Sequence, residues 1–196
     1  MSTSAARPWD GEDLALAEPP ANYFELFDLP VSFAVDARRL AERYRDLQAR
    51  THPDRFGASP EVAQAVPRRA PGQVSEAYRT LKDPQERARY LLALHTGESG
   101  RDDNSIPDGT SLVEEMELRE SLAEAQTSPN PRTALARILT QLAERSLALD
   151  KALESLFADP STGNLEMARE ILRKLDLLER CRRDAEALSS WLDAGP

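Results

Sequence analysis

The stretch YRDLQARTHPDRF at residues 44–56 contains the triplet that decides the fold of the first half of the chain, His52-Pro53-Asp54. Pro53 has no backbone N–H and disfavours helical geometry in the residue before it, so a helix should end at or near His52. The triplet is therefore expected at an exposed corner between two helical segments. An imidazole and a carboxylate fixed beside a rigid ring suit a docking point better than a catalytic pocket.

Helical periodicity leads into this corner. Asp36 is a plausible N-cap for a helix over about 37–51, and Leu40, Tyr44 and Leu47 share one face of that helix. A shorter helix is expected before it, over the segment that begins at Asn22. The two helices and the corner together predict a small helical domain.

The segment after the corner contains several residues that break helices. Two prolines and a glycine within residues 67–72 are costly inside a helix, so the third helix is predicted to start late, near Gln73, and to leave a long loop after the triplet. Asp83 then serves as an N-cap with Pro84 at the first helical position, which predicts a fourth helix that ends near His95.

The back half of the chain follows a polar linker at residues 96–109, which is the best candidate for a domain boundary. Three helices are predicted beyond the linker, at about 110–126, 131–157 and 165–192. Helices joined by short turns pack as an antiparallel bundle. Gly is scarce and β-branched runs are missing, so the fold class is predicted to be all-α.

Composition excludes several classes of function. The chain has 196 residues and a net charge of −9, which argues against nucleic acid as a partner because phosphate binding needs a concentrated basic surface. One Cys and two His exclude a Cys/His zinc site, and the lone Cys181 favours a reducing compartment. No apolar run approaches the roughly 18 residues of a membrane span. Residues 1–21 are acidic, unlike a targeting signal, and are interpreted as a disordered leader, which predicts a cytoplasmic protein.

Several strings place the chain near a known family. They are YFELFDLP at 23–30, YRDLQ at 44–48, HPDRF at 52–56, EAYRTLKDP at 76–84, RARYLLALH at 87–95, MELRE at 116–120 and RKL at 173–175. On these strings, residues 22–95 resemble a J domain, the module of DnaJ-type co-chaperones. The chain as a whole resembles the HscB family of bacterial J-proteins of iron–sulfur cluster assembly. The resemblance implies a J domain followed by a C-terminal three-helix bundle at 110–196.

The resemblance also implies roles for residues of the first domain. It implies that His52, Pro53 and Asp54 contact the ATPase of a DnaK-class chaperone, here the specialised HscA, and stimulate ATP hydrolysis. In J domains, a basic face of the second helix docks on an acidic surface of that ATPase. At about 100° per residue, Arg38 and Arg45 lie about 20° apart and away from the apolar face. The alternative for both arginines is an ordinary solvated helix surface.

The helix predicted at about 110–126 has two apolar faces. Leu118, Leu122 and Ala125 share one of them, and a single such stripe is enough to bury a helix in a small bundle. The opposite side, called the acid-rimmed face below, mixes apolar residues with carboxylates, which suits an exposed binding surface. Its members are Leu112, Val113, Met116, Glu117, Glu120 and Glu124. The alternative is that its apolar members pack against the first domain or a second bundle helix.

The family resemblance implies that the acid-rimmed face binds the iron–sulfur scaffold IscU, with Leu177 of the last helix as a further contact. The chain is then a co-chaperone without enzymatic activity, cofactor or metal, which brings IscU to HscA. The alternative is a general J-protein adaptor that serves a DnaK-type chaperone with a different client. On the last helix, Cys181 is expected to pack as a small apolar residue, and Trp191 is expected to anchor the helix.

Overall fold

The computed structural model describes residues 20–51, 70–97 and 109–194. In these ranges the chain is helical, without any strand, and the all-α prediction is confirmed. The helices are α1 Tyr23–Leu26, α2 Ala37–Thr51, α3 Ala70–Lys82, α4 Pro84–Thr96, α5 Gly109–Thr127, α6 Pro131–Ala158 and α7 Thr162–Ala194. Residues 1–19 of the proposed leader, the triplet at 52–54 and linker residues 98–108 lie outside the described residues.

Two aspartates start helices as their sequence positions predict. The Asp36 carboxylate accepts two backbone N–H groups from the first turn of α2, at 2.9 and 3.1 Å. The Asp83 carboxylate does the same for the first turn of α4, at 2.9 Å for both bonds. Each side chain satisfies N–H groups that have no partner inside the helix, which is why these positions fix the starts of α2 and α4.

Helix α3 begins at Ala70, which is three residues earlier than the predicted start near Gln73. Pro71 therefore lies in the first turn of the helix. A proline costs little there, because the N–H that it lacks would have had no intrahelical acceptor. The prediction of a later start was wrong because it treated Pro71 as a residue inside a helix, whereas Pro71 is the second residue of α3.

The described chain divides into two units after Arg87, and the division falls within α4 and not in the linker proposed at 96–109. In the first unit, α3 packs against both α1 and α2. The rings of Tyr44 and Tyr78 stack between α2 and α3, with centroids 4.0 Å apart. The core of this unit is apolar, and its buried members are Phe24, Phe27, Leu29, Phe33, Leu40, Val74, Ala77 and Leu81.

The second unit contains the rest of α4 and the bundle of α5, α6 and α7. Helices α6 and α7 form an antiparallel pair joined by a short turn, as predicted, and α5 packs against both. One core cluster joins the three bundle helices, and its buried members are Ala125, Leu135, Ile138, Leu142, Leu177, Leu178, Cys181 and Ala185. Arg89 of α4 forms an ion pair with Asp176 of α7. No helix in the described part of the chain is long and apolar enough to cross a membrane.

Candidate functional site

Two arginines of α2 keep their guanidinium groups on the surface. The Arg38 side chain is 91% exposed, and its Nε lies 3.9 Å from a Glu42 carboxylate oxygen, at the long limit of an ion pair. Arg45 is also exposed, and its Nε donates to the carbonyl of Ala41 in the same helix at 3.2 Å. Neither side chain is drawn into the core. The geometry therefore leaves both positive charges available to an acidic partner.

Two other arginines of α2 are tied to the turn that ends α1. Arg39 donates to the backbone carbonyl of Asp28 at 3.0 Å, and Arg43 forms an ion pair with the Asp28 carboxylate at 2.5 Å. Asp28 has a positive φ of 52°, a conformation that its short polar side chain tolerates. Arg39 and Arg43 thus stabilise this turn of the first unit. Sequence spacing alone does not show which arginines of α2 contact Asp28 and which, like Arg38 and Arg45, do not.

Helix α2 ends at Thr51, the residue before the triplet. The predicted contacts His52, Pro53 and Asp54 lie outside the described residues. Among the described residues, Arg38 and Arg45 are the predicted contacts of the chaperone ATPase.

The buried face of α5 is the one that the sequence predicts. Ala125 is buried in the core cluster, and Leu118 and Leu122 pack against that cluster as partly buried side chains. This stripe holds α5 onto α6 and α7. The opposite side of α5 is therefore free to face solvent.

The acid-rimmed face lies on that exposed side of α5. Val113 is 54% exposed and Met116 is 63% exposed, so neither side chain is sealed inside the bundle. Glu117, Glu120 and Glu124 are exposed beside them. The alternative in which this face is covered by another helix is wrong for Val113 and Met116. The side chain of Leu112 lies outside what the structure describes.

The five glutamates of α5 differ in whether they form ion pairs. Glu114 pairs with Arg145 of α6 at 3.4 Å, and Glu115 pairs with Arg119 one turn along α5 at 2.6 Å. The carboxylates of the acid-rimmed face have no ion-pair partner among the described residues. They are Glu117, Glu120 and Glu124. The negative charge of this face is therefore not neutralised within the described part of the molecule, and an apolar patch with such a fringe favours a partner that combines apolar and basic groups.

Leu177, the predicted contact on the last helix, does not lie on this face. Its side chain is 5% exposed and belongs to the core cluster of the bundle. The next residue of α7, Leu178, is buried in the same cluster. Both leucines are therefore held by packing between the bundle helices. Leu177 supports the bundle from inside and offers almost no surface for direct contact.

Of two further predictions on α7, the one for Cys181 is confirmed and the one for Trp191 is not. Cys181 is buried in the core cluster as predicted, and burial is the main reason that the pKa of its thiol is raised. No group of three or more potential metal ligands was found among the described residues. The prediction for Trp191 is wrong, because its side chain is 62% exposed. The end of α7 is held instead by Arg132, which donates to the Leu192 carbonyl at 3.0 Å.

Comparison with known proteins gives a consistent result. Residues 108–186 match a family model described as the HSCB C-terminal oligomerisation domain. A relative named co-chaperone protein HscB homolog from Colwellia psychrerythraea is 32% identical over 171 residues, which cover 87% of this chain and 98% of the relative. One with the same name from Paraburkholderia xenovorans is 38% identical over 160 residues, covering 81% of this chain and 89% of the relative.

Solved structures agree. The chaperone HscB from Vibrio cholerae superimposes with a TM-score of 0.67 at 33% identity, covering 86% of this chain and 98% of that one. The human co-chaperone protein HscB gives a TM-score of 0.73 at 29% identity, covering 87% and 83% of the two chains. The predicted architecture, a J domain followed by a C-terminal helical domain, is confirmed by these neighbours. On these similarities, the chain belongs to the HscB co-chaperone family.

Proposed function

We propose that this chain is a cytoplasmic, non-enzymatic co-chaperone that binds the iron–sulfur scaffold IscU and brings it to the chaperone HscA. In this proposal, the acid-rimmed face holds the scaffold, while the triplet at 52–54 and the α2 arginines act on the HscA ATPase. The observation that supports IscU binding is that Val113 and Met116 are exposed beside glutamates that form no ion pair with a described residue. This face lies within the residues that match the HscB C-terminal model.

The acid-rimmed face has the size and chemistry of a reversible contact. Fully burying a side chain such as Val or Met is worth about 1.5–3 kcal/mol. The costs of association consume much of this gain. We therefore expect a weak complex, with a dissociation constant on the order of micromolar. Such an affinity suits a co-chaperone that must both deliver a scaffold and release it.

Titration calorimetry of the full chain with purified IscU tests the proposal. We expect a dissociation constant on the order of micromolar that rises with salt, because the three exposed carboxylates of the face are open to screening by ions. An unrelated protein of similar size and charge to IscU serves as the control. Failure to bind IscU at about 100 µM would remove the scaffold half of the proposal.

Arg45 and Arg43 of α2 offer a matched test of the ATPase half of the proposal. Replacing Arg45 with alanine removes an exposed positive charge, so we expect HscA stimulation at subsaturating concentration to fall by about tenfold with no change in melting temperature. Replacing Arg43 with alanine breaks its ion pair with Asp28, so the free energy of unfolding should fall by about 1 kcal/mol while stimulation is retained. ATPase rates and thermal melts of both variants measure the two effects. Equal loss of stimulation in both would contradict the assignment.

A further inference from the structure

A groove, called the α5–α6 groove below, runs between two helices of the C-terminal bundle. Its volume is about 510 Å³, and its floor consists of apolar side chains, Leu118 of α5 with Ile138 and Leu142 of α6. Ser121 lines it from α5 and Gln141 from α6, and both of these side chains are exposed. The groove therefore opens to solvent and is large enough to take an apolar side chain of a partner.

The α5–α6 groove borders the acid-rimmed face. Ser121 lies four residues after Glu117 and three residues before Glu124, so the three side chains are neighbours on one flank of α5. Glu117 and Glu124 belong to the acid-rimmed face, whereas Ser121 lines the groove. The two surfaces are therefore continuous across α5.

The opposite wall of the groove adds a carboxylate from α6. Glu144 lines the groove, is exposed, and forms no ion pair with a described residue. Its neighbour in sequence, Arg145, pairs with Glu114 of α5 at 3.4 Å. That pair brings this part of α6 beside the first turns of α5, so Glu144 lies near the level of Val113 and Met116 along the bundle. The carboxylates of the acid-rimmed face thus have a counterpart across the groove.

Negative charge predominates around the groove. Three carboxylates without an ion pair in the described part of the chain flank it, those of Glu117, Glu124 and Glu144, whereas the charge of Arg145 is balanced by its own ion pair. Arg137 is exposed on α6 but does not line the groove. An apolar floor between such carboxylates matches a partner segment that carries an apolar side chain next to a lysine or arginine.

We propose that the α5–α6 groove is a second part of the scaffold-binding surface, and that it takes an apolar side chain of IscU whose neighbouring lysine or arginine pairs with Glu144. This inference rests on the proposed binding of IscU by the acid-rimmed face. It extends the contact from one helix to two, because Val113 and Met116 lie on one side of the glutamates and the groove lies on the other. A side chain that fills a groove is shielded from water and contributes more to affinity than one on an open helix face.

Ser121→Trp tests the groove itself. Ser121 is exposed and its hydroxyl donates to the Glu117 carbonyl of its own helix at 2.9 Å, so the substitution fills the groove from its edge and leaves the core intact. We expect IscU binding to weaken by at least about tenfold in titration calorimetry, with an unchanged melting temperature. The matched control is Ser190→Trp on α7, where an exposed serine makes the same bond to Glu186 at 2.9 Å and does not line the groove. It should bind IscU like the wild type.

Substitutions of Glu144 test the charge. We expect Glu144→Gln to weaken IscU binding by about threefold and Glu144→Lys by about tenfold, because the first removes an attraction and the second adds a repulsion. Both effects should shrink at high salt, since this carboxylate is exposed. The control is Glu154→Lys, because Glu154 is an exposed glutamate of the same helix that has no ion pair with a described residue and does not line the groove.

The same titrations distinguish failure of this inference from failure of the proposed function. If the wild type binds IscU and both Ser121→Trp and Glu144→Lys bind it equally well, the groove contact is overturned while scaffold binding by α5 stands. If the wild type does not bind IscU, both are overturned. Losses in Ser190→Trp and Glu154→Lys as large as those in the groove variants would also overturn the groove contact, because the effect would then not depend on position.

Discussion

Replacing both Val113 and Met116 with serine is expected to weaken IscU binding by at least about a hundredfold, which corresponds to about 2.7 kcal/mol. The two side chains are the described apolar part of the acid-rimmed face, and each contributes apolar area that the scaffold would cover. Both are more than half exposed, so the substitutions remove binding surface without opening a cavity in the core. Titration calorimetry measures the binding, and HscA stimulation by the same variant should be retained.

A matched control exists on another bundle helix. Met167 of α7 is 51% exposed, and Met167→Ser removes a similar apolar area outside the acid-rimmed face. This control should bind IscU like the wild type, and thermal melts should show that all variants remain folded. Equal losses in Met167→Ser and in the Val113/Met116 variant would indicate non-specific adhesion and would contradict a defined scaffold surface.

Replacing Asp54 with asparagine is expected to abolish stimulation of the HscA ATPase and to leave IscU binding unchanged. The substitution keeps the size of the side chain and removes its charge, so it separates the effect of the charge from the effect of side-chain size. Steady-state ATP hydrolysis at saturating wild-type concentration measures the effect. The rate with the variant should fall to the rate of the chaperone alone.

Asp46 provides the control for this prediction. It is an exposed carboxylate on α2, the helix that carries the proposed docking residues Arg38 and Arg45, but it lies outside the triplet. Asp46→Asn should stimulate at least as well as the wild type, because it removes a negative charge from a helix proposed to meet an acidic surface. Retained stimulation in Asp54→Asn would rule out the carboxylate as the operative group of the triplet.

Local signals in the sequence predicted much of this molecule. The starts of α2 and α4 follow from Asp36 and Asp83, since a capping side chain bonds to N–H groups two or three residues away. The division of α5 into a buried and an exposed face follows from helical periodicity. These features depend on interactions within one helix or one turn, which is why a single sequence specifies them.

Features that depend on distant residues were not predicted. Leu177 is buried and Trp191 is exposed because of how α7 meets the other bundle helices, which no local pattern encodes. In the same way, Arg43 forms its ion pair with Asp28, fifteen residues away, while Arg45 on the same helix stays on the surface. Helical spacing gives the direction in which each side chain points, but the partner that it meets is fixed only by tertiary structure.

The central claim is that one chain must carry both surfaces, one for HscA and one for IscU. The direct measurement is the rate at which IscU enters a complex with HscA when the co-chaperone is present in catalytic amounts, at about 0.1 µM. At this concentration two co-chaperone chains that associate only weakly remain separate. The account predicts fast loading with the wild type and background loading with an equimolar mixture of Asp54→Asn and Val113→Ser/Met116→Ser, although each variant retains one intact surface. Loading by the mixture at the wild-type rate would contradict it.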